Sequence, residues 1–209
     1  MSILELIDEE RRNSLTATIK GLTVRCRTEI PMIRKSAKRA IAQYPENSEG
    51  YHFGTVPLRM RLAVVDINVL FEKLLNETDL NAQNLLARTL STHFYEFFED
   101  VPAMLGKKFR TIVKSFPPWE NVETDLNILI SSFNDTKRAC VERHKLVRHH
   151  VGAHRDEDGM LQAEIIDHIS MEWTVSDYFR LSKWIVDYLD FEYRMAVLAE
   201  QIMSGTYKP

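Results

Sequence analysis

Apolar residues recur along most of this chain at steps of three and four, the spacing that lines one face of an α-helix. Ile3, Leu6 and Ile7 open such a stripe, and the pattern predicts helix from residue 3 to about 43, broken once near Pro31. Residues 44–57 carry proline, glycine, asparagine and serine and read as a loop, the one internal boundary of the first half. Residues 59–76 are apolar on most faces (Leu62, Val64, Ile67, Leu70, Phe71, Leu74), and their length favours a buried helix over a strand. A turn follows at Asn76, with Thr78 or Asp79 as the helix cap. Helical patterning resumes over 80–99 and, past Asp100-Val101-Pro102, continues to Lys114.

Two consecutive prolines in Ser115-Phe116-Pro117-Pro118-Trp119 stop that helix, and Trp119 reads as a staple of the next helix start to the core. A long helix is predicted from near Glu120, with Val122, Leu126, Leu129, Ile130, Phe133 and Cys140 on its stripe. Gly152 weakens it, residues 156–159 read as a turn, and 160–169 fit either a short helix or an extended segment. The last helix is expected to start around 174–177, where Thr174 and Asp177 stand at capping-box separation. Leu181, Ile185, Tyr188, Phe191, Met195, Leu198 and Ile202 give it an apolar stripe, and residues 204–209 should fray. No period-two strand, glycine-rich phosphate loop or internal repeat interrupts this pattern. It predicts an all-α bundle of five to seven helices in a single domain over 1–209, with a core bundle at 57–205. An N-terminal helical subdomain over 1–50 is the one candidate division.

Composition narrows the function classes. A 44% hydrophobic and 27% charged chain of 209 residues can bury a sizeable core without disulfides or metal staples. Cys26 and Cys140 are its only cysteines and form no CxxC pair, which suits a reducing cytoplasm. No signal peptide or membrane-spanning run is present, so a cytoplasmic protein with no membrane partner is expected. A net charge of −3 gives no global attraction for nucleic acid, so any such binding needs a local patch. The basic stretch at 34–41 reads as a solvated helix face, with an RNA-contacting edge as the functional alternative. Lys107, Lys108, Arg110 and Lys114 form a second basic stripe that reads the same way. Trp173, Trp184 and Tyr188 read as core or dimer-interface residues.

One stretch runs against the acidic background: Arg148-His149-His150-Val151-Gly152-Ala153-His154-Arg155-Asp156. Between positions 137 and 155 stand six basic residues (Lys137, Arg138, Arg143, Lys145, Arg148, Arg155) and one acid, Glu142. Histidine titrates near neutrality and can move a proton, and arginine stays charged and grips phosphate with two hydrogen bonds. Together they can cleave RNA without a metal: a base activates the ribose 2′-hydroxyl against its own 3′-phosphate while arginine stabilises the charge that develops. On a straight helix Arg148 and His154 lie about 120° apart, so a bend or a second subunit would have to complete such a site. His150 and His154 lie about 40° apart and share a face, the spacing at which two imidazoles bind one ion. Asp156 or Asp158 could add oxygen, with His93 and His168 as further ligand candidates.

Arg148, polar His149, four residues and His154 resemble the R-x4-6-H motif of the HEPN superfamily of helical ribonucleases and toxins. The longer stretch Leu146-Val147-Arg148-His149-His150-Val151-Gly152-Ala153-His154-Arg155-Asp156 looks like its abortive-infection branch. The resemblance implies an all-α fold and a metal-independent, cofactor-free RNA-cleaving site formed across a homodimer. Arg148 and His154 would be the catalytic pair, His149 its support, and Lys145, Arg155 and Arg143 the substrate-binding cations. A toxin or phage-defence role, with RNA as substrate and a cognate antitoxin as partner, follows from the same likeness. Two other readings stand beside it: a non-catalytic helical interaction module, and a bundle metal site built on His150, His154 and Asp156.

Overall fold

The computed structural model describes residues 2–117, 120–152, 159–167 and 169–207, apart from the side chains of Val151, Gly152, Gly159, Asp167 and Met203. Eight α-helices and no strand occur among the described residues. They are α1 (Ile3–Leu6), α2 (Glu9–Gln43), α3 (Glu49–Asn76), α4 (Leu80–Met104), α5 (Lys107–Val113), α6 (Val122–Val147), α7 (Gly159–Asp167) and α8 (Met171–Ser204). A π-helical segment, Arg148–Gly152, prolongs α6. No described helix is long and apolar enough to cross a membrane.

The all-α bundle is as the apolar spacing predicts, and several boundaries are not. The first break falls at Ile7 and Asp8, where Asp8 caps α2 by accepting from the Arg11 N–H, and α2 runs unbroken through Pro31. Proline removes one backbone donor. The carbonyl that loses its helical donor belongs to Arg27, on an exposed face. The connection between α2 and α3 is only residues 44–48, and Gly50, Gly54 and Pro57 lie inside α3, capped by Ser48. Glycine serves packing at these positions: a Cβ on Gly54 would overlap the Ala40 Cβ, and one on Gly50 would come 2.6 Å from the Tyr44 ring. Pro102 is likewise inside α4, and the chain breaks instead at Leu105 and Gly106. Asp79 is the cap of α4, as one of the two expected residues.

In the last third, 160–169 is largely helix, as α7. The final helix starts earlier than the capping-box spacing suggests: Ser170 precedes its first turn, and Thr174 and Asp177 are buried inside α8. Its end is held down. Gly205 takes the left-handed conformation at φ 68°, and the Tyr207 hydroxyl donates to Glu120 Oε1 at 2.7 Å, so the expected fraying does not extend over 204–207. Trp119, Lys208 and Pro209 lie outside the described residues.

One continuous core runs from Ile3, Ile19 and Cys26 through Phe71, Phe94, Phe98 and Phe133 to Leu198. Trp184 and Tyr188 belong to it, with the Trp184 indole donating to the Leu129 carbonyl at 2.9 Å, and Trp173 packs against it. Within this core α2, α3 and α8 are joined by charge. Arg61, 3% exposed, reaches Glu29 at 2.8 Å and Glu192 at 3.5 Å. Burial pushes the Glu192 carboxyl up to about 7, against the pull of Arg61 and with help from Glu29. A carboxyl raised in the fold favours its neutral form there, so the fold loses stability as pH rises from the ordinary 4.5 through about 7.

Two outcomes follow. Gly54→Ala should force α2 and α3 apart and cost about 1–3 kcal/mol in denaturant unfolding, with recovery when Ala40→Gly is added. Glu192→Gln should raise stability over the parent by up to about 3 kcal/mol near pH 8, with the gain vanishing toward pH 4, as read by melting at both pH values.

Candidate functional site

Cys140, His144 and Val147 stand three and four residues apart on α6 and are all buried on its inner face, with Arg143 beside them. Asp177 meets them from α8. His144 Nε2 lies 3.1 Å from Asp177 Oδ2, the Cys140 thiol donates to Oδ1 at 3.2 Å, and Arg143 grips both oxygens. His144 and Asp177 are wholly buried, enclosed by Phe94, Phe98 and Trp173, whose rings stand 5.0, 6.1 and 5.3 Å from the imidazole. The Arg143 guanidinium also lies 5.7 Å from the Trp173 ring centre.

The charges in this cluster settle by burial and partner. Burial holds the His144 imidazole below its ordinary value even beside Asp177, so it sits neutral and donates its Nε2 proton to the carboxylate. Its buried Nδ1 has no hydrogen-bond partner among the described residues. Burial pushes Asp177 upward, but hydrogen bonds from His144, Arg143 and Cys140 together hold it below the usual carboxylate range. Burial and Asp177 push the Cys140 thiol up to about 12, which makes it a fixed donor and no nucleophile. This is a satisfied anchor: three donors converge on one carboxylate.

The motif begins one turn further on. At Val147 the helix widens into its π-helical turn, a local winding that often marks functional positions. Arg148 Nε donates to Glu96 Oε1 of α4 at 3.3 Å, and the exposed His149 ring stands edge-on to Tyr95 at 5.5 Å. Arg148 and His149 thus both meet α4, through different residues. Lys145 points outward, 3.8 Å from Glu142. Lys137 pairs with Glu99 at 2.8 Å, Arg138 with Asp135 and Arg143 with Asp177. Every described Lys or Arg of the sequence cluster therefore has a carboxylate beside it. A groove of about 290 Å³ opens next to the anchor between α6, α7 and the start of α8, lined by Arg143, Leu146, Leu161, Ile165 and Trp173.

His154, Arg155 and Asp156 lie outside the described residues, as do Asp158 and His168. Among the described residues no group of three His, Cys, Asp or Glu side chains is arranged to hold a metal ion. Glu96 and Tyr95 are neighbours that the sequence did not single out, and Asp177 was singled out only as a helix-capping residue. Glu96 and Tyr95 leave no signal, since they are ordinary residues on the outer part of a helix. Asp177 leaves one: it falls on the buried side of α8 between Thr174 and Leu181, where a charge needs a partner.

No family model, curated protein or solved structure matches this chain.

Asp177→Ala should cost about 3–5 kcal/mol, because it strands Arg143 and His144 against a buried face. The loss, measured by urea unfolding, should be largest near neutral pH. It should shrink as acid protonates the parent's Asp177, since a depressed carboxyl contributes stability only above its folded value.

Proposed function

We propose that this chain is a metal-independent endoribonuclease of HEPN-like type that works as a homodimer. Arg148 holds the scissile phosphate, His154 moves the proton and His149 supports Arg148. The observation that carries this reading is the π-helical turn. It sets Arg148 and His149 against α4, directly after a helix whose last turns are fixed by Asp177. A guanidinium and an imidazole on a rigid base suit phosphodiester cleavage.

The chemistry balances without a co-reactant. A base takes the proton of a ribose 2′-hydroxyl, and the oxygen attacks the adjacent phosphorus. The bond to the 5′-oxygen breaks, and that oxygen takes up a proton. The products are a 2′,3′-cyclic phosphate and a 5′-hydroxyl. In the resting chain Glu96 holds Arg148; a phosphate would compete for the same guanidinium. Lys145, beside Glu142 in the resting chain, and Arg155 serve as cations for the flanking phosphates, while Arg143 acts as a positioning residue through Asp177. A cytoplasmic toxin or phage-defence role, with an antitoxin partner, belongs to the same proposal.

A second reading has an observation of its own. The described cations of the cluster are all paired within the chain, which favours a non-catalytic interaction module.

The test is RNA cleavage in EDTA by the parent, Arg148→Ala and His154→Ala. The expected result is cleavage by the parent and a loss of about 10²–10⁴-fold in each variant. Equal cleavage by all three removes the Arg–His site, and parent activity that EDTA abolishes points to a metal. Absence of cleavage in the parent against total cellular RNA supports the interaction module.

A further inference from the structure

Unpaired positive charge in this fold lies on other helices than the motif. Residues 30–45 contain Arg34, Lys35, Lys38 and Arg39 and no acid. All four are exposed, on the face of α2 opposite the buried Ile33, Ala37 and Ala40. Lys107 and Lys108 are exposed at the start of α5. None of these six makes an ion pair among the described residues.

The fold brings both runs to the same end of the bundle. Ala40 of α2 meets Gly54 of α3 in direct contact. The neighbouring Phe53 packs on Phe109 of α5, ring centres 5.1 Å apart. His52 Nε2 lies 2.9 Å from the Met104 carbonyl at the end of α4. The first turns of α3 therefore carry α2 on one side and α5 on another. Arg34 is about 9 Å along α2 from that contact, and Lys107 is two residues from Phe109. Tyr44 follows directly after α2, its ring laid against Gly50 and 48% exposed.

We propose that this end of the bundle, formed by Arg34, Lys35, Lys38, Arg39, Tyr44, Lys107 and Lys108, is a binding surface for single-stranded RNA, distinct from the Arg148 motif. Unpaired cations track a phosphate backbone, and an exposed aromatic ring gives a base something to stack on. In a chain of net charge −3 a polyanion is repelled elsewhere and is drawn to such a surface. A membrane surface would need a continuous apolar face beneath the charges. Here the exposed apolar side chains are single residues at either end, Met32 and Ile41. The choice of RNA as the polyanion rests on the ribonuclease reading, but binding at this surface does not require cleavage.

The experiment is fluorescence anisotropy with a labelled mixed-sequence single-stranded RNA in EDTA. The full chain carries Arg148→Ala and His154→Ala, so that the probe stays intact. Added to this background, Arg34→Gln, Lys35→Gln, Lys38→Gln and Arg39→Gln together should weaken binding about tenfold or more and flatten the log–log salt slope by about 3. Tyr44→Ala should weaken it about fivefold or more. Superimposable melting curves show that the loss is not unfolding. If the quadruple variant melts early, Lys107→Gln with Lys108→Gln decides instead, with a slope change of about 1.4.

Unchanged affinity and slope in the variants overturn the proposal. So does a protein that ignores RNA at low salt, or one that binds vesicles containing phosphatidylserine and not RNA. The two proposals separate cleanly. Surface-dependent binding without parent cleavage removes the nuclease alone, and cleavage with surface-independent binding removes this surface alone.

Discussion

The geometry of the motif depends on one buried carboxylate. Asp177 is wholly enclosed, and a bare carboxylate there would be costly. Three donors from a single stretch of α6 satisfy it, so that α6 and α8 are registered against each other to within hydrogen-bond reach. The aromatic wall around His144 keeps water from replacing those bonds. The next turn of α6 starts from this pinned stretch, and Arg148 and His149 then meet Glu96 and Tyr95 of α4. One face of α6 gives its polarity to the interior at Cys140, Arg143 and His144, and the next turn sets Arg148 and His149 against α4.

The helices were legible because apolar spacing is a property of each segment alone. α3 and α6 follow directly from where Leu, Val, Ile and Phe recur. The breaks were less legible, for a specific reason. Gly54 and Pro57 carry the composition of a loop, but Gly54 is there so that α2 can approach without a Cβ in the way. Pro31 and Pro102 lie inside helices for the same class of reason: packing against neighbours outweighs one lost hydrogen bond, and local composition does not report on neighbours.

The candidate site shows the same limit more sharply. Arg148 and His149 were visible as a charged anomaly, and each meets its own neighbour on α4, Glu96 and Tyr95. His154, Arg155 and Asp156 lie outside the described residues. What the sequence could not show is pairing across helices. A run of six basic residues looks like an electropositive patch on paper. Glu99, Asp177 and Glu96 come from α4 and α8 and neutralise much of it. The converse holds at 34–39, where an ordinary-looking basic helix face stays exposed, with no ion pair among the described residues. Net local charge is a tertiary property, and counting along the chain does not report it.

Helix α8 is held at two charged joints, Asp177 near its start and Glu192 in its second half, about 22 Å apart along its axis. They differ in their appetite for protons. The first grips best when its carboxyl is bare, the second when its carboxyl is filled. Acid therefore slackens the end beside the motif, and base slackens the end beside α2 and α3. The two ends of the helix carry opposite dependences on pH.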